Sequence, residues 1–341
     1  MNHEVSFRGT GKEYLSIWIV NTLLTMITLN VYSAWAKVRK RRYFAEKLFI
    51  DDEPFEYLAN PMALFRGWLV AAAAFVIYMI ARHLSPIWGA GAMFVIAAFV
   101  PWVVVKSRVF NARNRAFRNI RFSFAPKYAE AYRVMLGWSL LSLIVFPLWP
   151  YAIYRQKKFF VENSSYGTTP FRFKATPGEF YKIFVFASLW MLGALVIAVI
   201  IVGIVVIVSF KADLFLPRRV LGIAAMLIFI SAYLLVIVYY KTSVTNLVWN
   251  RTELGGMRFH SSMKTLRVAW LYLSGGVAVI CSFGFLFPWA TVRLMRYRCE
   301  QLAIRSQEGI ERFIADTASV STGAVGEEIG DMFDMGFDIG F

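Results

Sequence analysis

The sequence predicts an all-α polytopic membrane protein built from internal repeats. Three observations carry that expectation. Four apolar runs are each long enough to cross a bilayer, since about 30 Å of hydrocarbon takes about 20 helical residues. A unit that joins a broken apolar segment to a helix bearing Trp and Arg occurs three times. The cations lie between these segments, with no separate basic module. Composition agrees: 58% of the 341 residues are hydrophobic, 17% are charged, and mean hydropathy is +0.55. A soluble domain carries roughly 25% charged residues, so an ordinary soluble enzyme is excluded.

Taken in order, the N-terminus MNHEVSFRGTGKEY carries Glu4 and Glu13 and no basic run leading to a small-residue cleavage site. No cleaved signal peptide is expected. Tyr14 to Leu29 is apolar but interrupted by Asn21, Thr22, Thr25 and Thr28, then by Asn30, and Lys37, Arg39, Lys40, Arg41 and Arg42 follow. Asp51 to Pro54 and Asn60-Pro61 are turn signals. Leu64 to Ile80 is the first clear span, Arg82 to Pro86 a tight turn, and Ile87 to Val105 the return. Lys106 to Arg121 reads as a polar helix.

The opening unit then recurs as FPLWPYAIYRQKKFF, Phe146 to Phe160. Ile183 to Phe210 and Val220 to Tyr240 form a second span pair, followed by a polar stretch from Lys241 to Arg258. The third opening unit reads GFLFPWATVRLMRYR, Gly284 to Arg298. Opening units are therefore expected at about 7–60, 127–180 and 264–305, and span pairs with their polar helices at about 62–126 and 181–263. Both polar stretches end in Arg-Phe, at Arg121-Phe122 and Arg258-Phe259. In lipid every backbone N–H and C=O must be paired within the protein, so the spans are helices. Strand alternation of barrel type is not expected. Glu308 to Phe341 holds eight acidic residues and Arg312, too few apolar residues for a core, so 306–341 is expected to be a disordered cytoplasmic tail.

Charge sets the topology. The excess of 37 Lys and Arg over 21 Asp and Glu would suggest nucleic acid in a soluble protein; beside membrane spans it reflects retention of cations in the cytoplasm. If every apolar segment crossed, the cation-rich segments 155–182 and 241–267 would lie outside. If the three opening segments instead enter and leave on one face, only Arg82, Lys211, Arg218 and Arg219 do. Each opening segment also carries a break, at Leu29-Asn30, at Pro147 and Pro150, and at Gly284 and Pro288. The expectation is four spans in two hairpins plus three broken segments, re-entrant or interfacial, with both termini cytoplasmic.

The opening FRGTGKEYLSIWIVNTLLTMITLNVYSAWAKVRKRRYF resembles the signature of the YjgN family of bacterial inner-membrane proteins. Thr28, Leu29, Tyr32, Trp35, Ala36, Arg39, Arg42 and Tyr43 match it, and Asn30 stands where that signature has Gly. Asn also adopts left-handed geometry, so the turn survives. The resemblance extends over roughly residues 7 to 305. It implies an inner-membrane location and no established activity.

No catalytic constellation is legible. His3, His83 and His260 are scattered, with no Cys, Asp or Glu at metal-ligand spacing. RGTGK lacks the full phosphate-loop pattern, Asp51 to Glu53 reads as a solvated turn, and Cys281 and Cys299 read as free thiols. No cofactor or metal is expected. Two groups remain as site candidates. Trp35, Arg39, Arg42 and Tyr43, then Trp149 and Lys158, then Trp289, Arg293 and Arg296 form a repeated aromatic and cationic stripe. It is suited to interfacial anchoring or to anionic lipid headgroups. Asn21, Thr25, Thr28 and Asn30 are polar residues at membrane depth, which either brace helices or line a cavity. The function expected is non-enzymatic binding of membrane lipid, anionic phospholipid above all, or of a protein partner on a basic cytoplasmic face. The alternative is a small-solute transporter or channel with a site at the repeat interface.

Overall fold

The computed structural model describes residues 2–211 and 218–306. It overturns the all-α expectation: among the described residues, ten short antiparallel strands close into a barrel from which helical hairpins rise. The strands are β1 (Asn2–Phe7), β2 (Leu48–Ile50), β3 (Glu53–Tyr57), β4 (Arg115–Phe117), β5 (Ile120–Phe124), β6 (Ser164–Tyr166), β7 (Thr169–Phe173), β8 (Thr252–Leu254), β9 (Met257–Ser261) and β10 (Leu302–Arg305). The helices are α1 (Gly11–Ile27), α2 (Ser33–Glu46), α3 (Pro61–Leu84), α4 (Pro86–Arg113), α5 (Tyr128–Tyr132), α6 (Trp138–Ile144), α7 (Trp149–Glu162), α8 (Pro177–Lys211), α9 (Arg218–Asn250), α10 (Thr265–Cys281) and α11 (Phe287–Glu300). A π-helical turn, Arg133–Gly137, runs α5 into α6.

The repeating unit is thus strand, helix pair, strand. It occurs five times, and the stretches read as polar helices are composite: α4 ends at Arg113 and α9 at Asn250, and the rest of each is β-hairpin. Units are joined by two-residue turns at Asp51-Asp52 (φ 48° and 68°), Arg118-Asn119 (46° and 64°), Gly167-Thr168 and Gly255-Gly256 (50° and 88°). In three of these turns φ is positive at both central residues, and in the fourth at Gly167 (56°) alone; both arrangements give a turn whose twist matches the flanking strands. The fifth join is made by the first and last strands, where β1 pairs with β10 (His3↔Ile304) and also with β2 (Ser6↔Phe49). Closure leaves no free strand edge.

Side chains fill the barrel. Val5, Phe7, Leu48, Ile50, Phe117, Ile120, Tyr166, Leu254, Met257, Leu302 and Ile304 are buried in one cluster, with Phe55, Phe122, Phe171 and Phe259 packed on it. Ring pairs such as Phe55–Phe117 (4.8 Å) and Phe122–Tyr166 (5.0 Å) knit it together. Each such side chain contributes roughly 1.5–3 kcal/mol by leaving water. Between these residues Arg121, Arg172 and Arg258 point outward and are exposed, the alternation a strand requires.

All helix pairs leave the same end of the barrel. Four helices, Pro61–Leu84, Pro86–Arg113, Pro177–Ile204 and Met226–Asn250, are long and apolar enough to span a membrane. The α1/α2, α5–α7 and α10/α11 hairpins are shorter and turn back at Leu29-Asn30, at Pro147, and at Phe283-Gly284. Pro150 and Pro288, read as part of the breaks, instead lie in the first turns of α7 and α11, where Pro fits a helix start. Neighbouring hairpins pack in chain order, α2 on α3, α4 on α5, α7 on α8 and α9 on α10, and α11 returns to α1. The helices therefore continue the ring that the strands begin. The acidic tail lies outside the described residues.

Candidate anion and lipid-headgroup site

The last hairpin meets the first at a cleft of about 290 Å³ lined by Gly11, Trp289, Val292, Arg293 and Arg296. Helical spacing assembles it: residues 289, 292, 293 and 296 fall three or four apart and share one face of α11. Gly11, the first residue of α1, allows the approach, since a Cβ there would lie 3.2 Å from the Trp289 backbone and 3.3 Å from its side chain.

Each arginine is braced. Arg293 Nη1 donates to Ser274 Oγ at 2.8 Å, and its guanidinium lies 5.1 Å from the centre of the Trp289 ring. Arg296 Nη2 donates to the Gly9 carbonyl at 3.0 Å, tying α11 to the loop before α1. A guanidinium has five N–H donors in a planar fork, so one anchoring bond leaves donors for a phosphate.

The start of α1 completes the site. Thr10 Oγ1 accepts from Glu13 N (3.2 Å) and Glu13 Oε2 from Thr10 N (3.3 Å), a reciprocal capping box. Gly11 and Lys12 N–H groups have no intrahelical acceptor, as in the first turn of any helix, and the helix dipole favours an anion beside them. The Thr10 N–H bond holds the Glu13 carboxyl below its usual pKa, with help from Tyr43 and Lys47. Tyr43 Oη lies 3.0 Å from the Thr10 carbonyl and 3.2 Å from Glu13 Oε2, and its ring stacks on Tyr14 at 5.5 Å. Burial first, and then the Glu13 charge, push its phenol well above the ordinary value. Tyr43 is a buried brace for the start of α1, with no face open to a ligand.

The other stripe residues are not gathered. Arg39 and Arg42 are exposed on α2, and Trp35 packs on Tyr32 and Phe65. Trp149 is partly exposed, and Lys158 pairs with Glu162 at 3.8 Å on α7. Of the polar residues of the first segment, Asn21 ties α1 to α2, and Thr25 and Thr28 bond back within α1. Asn21 Nδ2 donates to the Ala36 carbonyl (3.3 Å), Thr25 Oγ1 to the Asn21 carbonyl (2.6 Å) and Thr28 Oγ1 to the Leu24 carbonyl (2.7 Å). Asn30 holds the left-handed turn at φ 72°.

Sequence reasoning missed Gly9, Gly11 and Ser274, although Gly9 and Gly11 stand in the same RGTGK run that the phosphate-loop test rejected. It also passed over Lys157, whose ammonium is pulled down to about 8 by burial and then by Arg108. Arg41, one of the cations that follow the first opening segment, bonds Tyr57 Oη (3.0 Å) and Asn111 Oδ1 (2.9 Å), linking α2, β3 and α4. Among the described residues no cluster of three or more His, Cys, Asp or Glu could hold a metal. Asp51, read as part of a solvated acidic turn, bonds His3, and Asp52 bonds Arg8. Cys281 is exposed, whereas burial pushes the Cys299 thiol up to about 12.

A family described as "Bacterial protein of unknown function (DUF898)" matches residues 2–332. Among curated proteins, "Inner membrane protein YjgN" of Salmonella typhimurium is 31% identical over 147 residues, 42% of this chain and 36% of the relative. The proteins of the same name from Escherichia coli O157:H7 and K12 are 29% and 28% identical over 124 residues, 36% of this chain and 31% of each relative. The aligned part thus spans about a third of the length of these relatives. No solved structure matches the chain.

Proposed function

The chain belongs to the DUF898 family of bacterial proteins, and we propose that it is an inner-membrane protein that holds anionic phospholipid headgroups in the cleft between its first and last hairpins. The coarse part of this reading rests on four span-length apolar helices and on relatives named as inner-membrane proteins. The specific part rests on one observation: Arg293, Arg296, Trp289 and Gly11, the first residue of α1, line one cleft. Two braced guanidinium groups and a helix N-terminus offer a phosphodiester charge-assisted hydrogen bonds. An interfacial Trp suits the glycerol level beside it. Arg39, Arg42 and Lys158 serve as a looser belt of positive charge around the same membrane face.

The barrel, and with it both ends of the described chain, belongs on the cytoplasmic side. Only Arg82, Lys211, Arg218 and Arg219 lie at the opposite ends of the spans, as the positive-inside rule requires.

The test is lipid retention. Protein purified from cells should carry phosphatidylglycerol or cardiolipin, and the double variant Arg293→Gln/Arg296→Gln should lose most of it, several-fold more than Arg39→Gln/Arg42→Gln. Millimolar inorganic phosphate should not displace the lipid if the acyl chains contribute to binding. Equal retention by the two double variants, each with an unchanged melting profile, would refute the cleft as the site.

A further inference from the structure

We infer that the three short hairpins insert their apices into the acyl chains of the barrel-side leaflet alone, so that the protein occupies more area in that leaflet than in the other. This does not depend on the headgroup cleft. The apices are apolar and bare: Leu29 is 86% exposed, Ile144 83% and Phe283 95%. Three such points rise from the same end of the barrel as the spans; one stands between the two span pairs, and the first and last stand side by side where α11 meets α1.

Distance fixes the depth. From Pro86 to Lys106 on α4 is twenty residues, about 30 Å of helix and the full hydrocarbon thickness. From Leu29 to Lys37 is eight residues, from Phe146 to Arg155 nine, and from Phe283 to Arg293 ten, or at most about 12–15 Å, since the first three or four residues of each belong to the reversal. That is the hydrocarbon depth of one leaflet. Cations at headgroup level leave the apices near the midplane.

The apex turns are also built for a medium without water. In the first, N–H groups of residues 28 to 31 bond to the carbonyls of Leu24, Met26, Thr25 and Thr28. Tyr32 N donates to Thr28 Oγ1 at 2.9 Å and Ser33 N to the Asn30 carbonyl. The last hairpin repeats the scheme. N–H groups of residues 282 to 285 bond to Ala278, Ile280, Val279 and Ser282. Leu286 N donates to Ser282 Oγ at 2.9 Å and Phe287 N to the Gly284 carbonyl. In the middle hairpin Pro147 removes one donor outright. A chain reversal facing water has no need of this completeness; one in hydrocarbon does, because each unpaired group there costs several kcal/mol. Leu29 and Phe283, at φ 48° and 51°, accept left-handed strain to place a large apolar side chain at each tip.

The experiment uses Cys281, an exposed thiol two residues before Phe283, in the otherwise unaltered protein. A fluorophore on it in vesicles should be quenched at least about twofold by lipids brominated at mid-chain, and less by lipids brominated near the headgroup. Leu29→Cys in a Cys281→Ser background should behave alike. A membrane-impermeant maleimide applied on the side that labels Ser85→Cys, at the α3/α4 turn, should leave both apices unlabelled. Absence of quenching would place the apices in water, and labelling from the Ser85 side would make the hairpins spanning; either overturns the inference.

Discussion

Gly9→Ala tests the junction on which barrel, first hairpin and last hairpin converge. A Cβ at residue 9 would lie 2.6 Å from Tyr43 Oη and 2.7 Å from two carbons of the Phe7 ring. Neither neighbour can swing into solvent, because Tyr43 is 6% and Phe7 5% exposed. If the Tyr43 ring retreats, its hydrogen bond at Thr10 is lost, about 0.5–1.5 kcal/mol, and its stacking on Tyr14 weakens by a similar amount. If the loop retreats instead, the Arg296 bond to the Gly9 carbonyl stretches. Overpacking of this kind costs roughly 1–3 kcal/mol, so the expected loss is about 2–4 kcal/mol, or roughly 30- to 900-fold in the folding equilibrium. Unfolding in mixed micelles, followed by Trp fluorescence, measures it. Gly91→Ala is the control: a Cβ there meets nothing within 4 Å, and Ala outranks Gly in a helix by up to about 1 kcal/mol. Tyr43→Phe should be less damaging in the Gly9→Ala background than alone, because it removes the 2.6 Å contact. Gly9→Ala unfolding alongside Gly91→Ala would refute the argument.

Other outcomes follow from the same geometry. Asn30, at φ 72°, should accept Gly without loss of stability, whereas Asn30→Val should cost about 1–2 kcal/mol in the same unfolding assay. In detergent micelles a membrane-permeant maleimide should modify one thiol per folded chain, Cys281, and in SDS two, since Cys299 is buried and its thiol is held at about 12. The Lys174 hydrogen bond first, and the Lys174 and Arg258 charges after it, hold Glu253 below its usual pKa against the effect of burial. Its contribution is present above about pH 4.3 and fades as pH falls through the depressed folded-state value. The stability gap between wild type and Glu253→Gln should therefore shrink from pH 6 to pH 3, and a constant gap would exclude this linkage.

The reversals at Leu29-Asn30, Pro147 and Gly284 were legible because the residue types that break a helix are few. The barrel was not. Its strands run three to six residues, too short for alternation to stand out between long helices. Two of its turns use Asp-Asp and Arg-Asn in place of the usual Gly pairs. The signal that could have found it is the Arg-Phe pair noted at 121–122 and 258–259. With Ile120, Phe171-Arg172-Phe173 and Met257 beside it, that pair reads as inward apolar, outward Arg, inward apolar. Within the site, Trp289, Arg293 and Arg296 were legible as a stripe, but their partners Gly9 and Gly11 were not, because a glycine that merely leaves room has no chemistry to read.

Sequence by itself determined the membrane class and the four span-length helices, because hydropathy and helix length are sums over neighbouring residues. Tertiary structure alone decided that the first and last strands close a barrel, Asn2 facing Arg305, and that Arg296 reaches Gly9 across 287 positions. Contacts of that separation depend on how five hairpins pack around one core, and no local stretch of the chain encodes them.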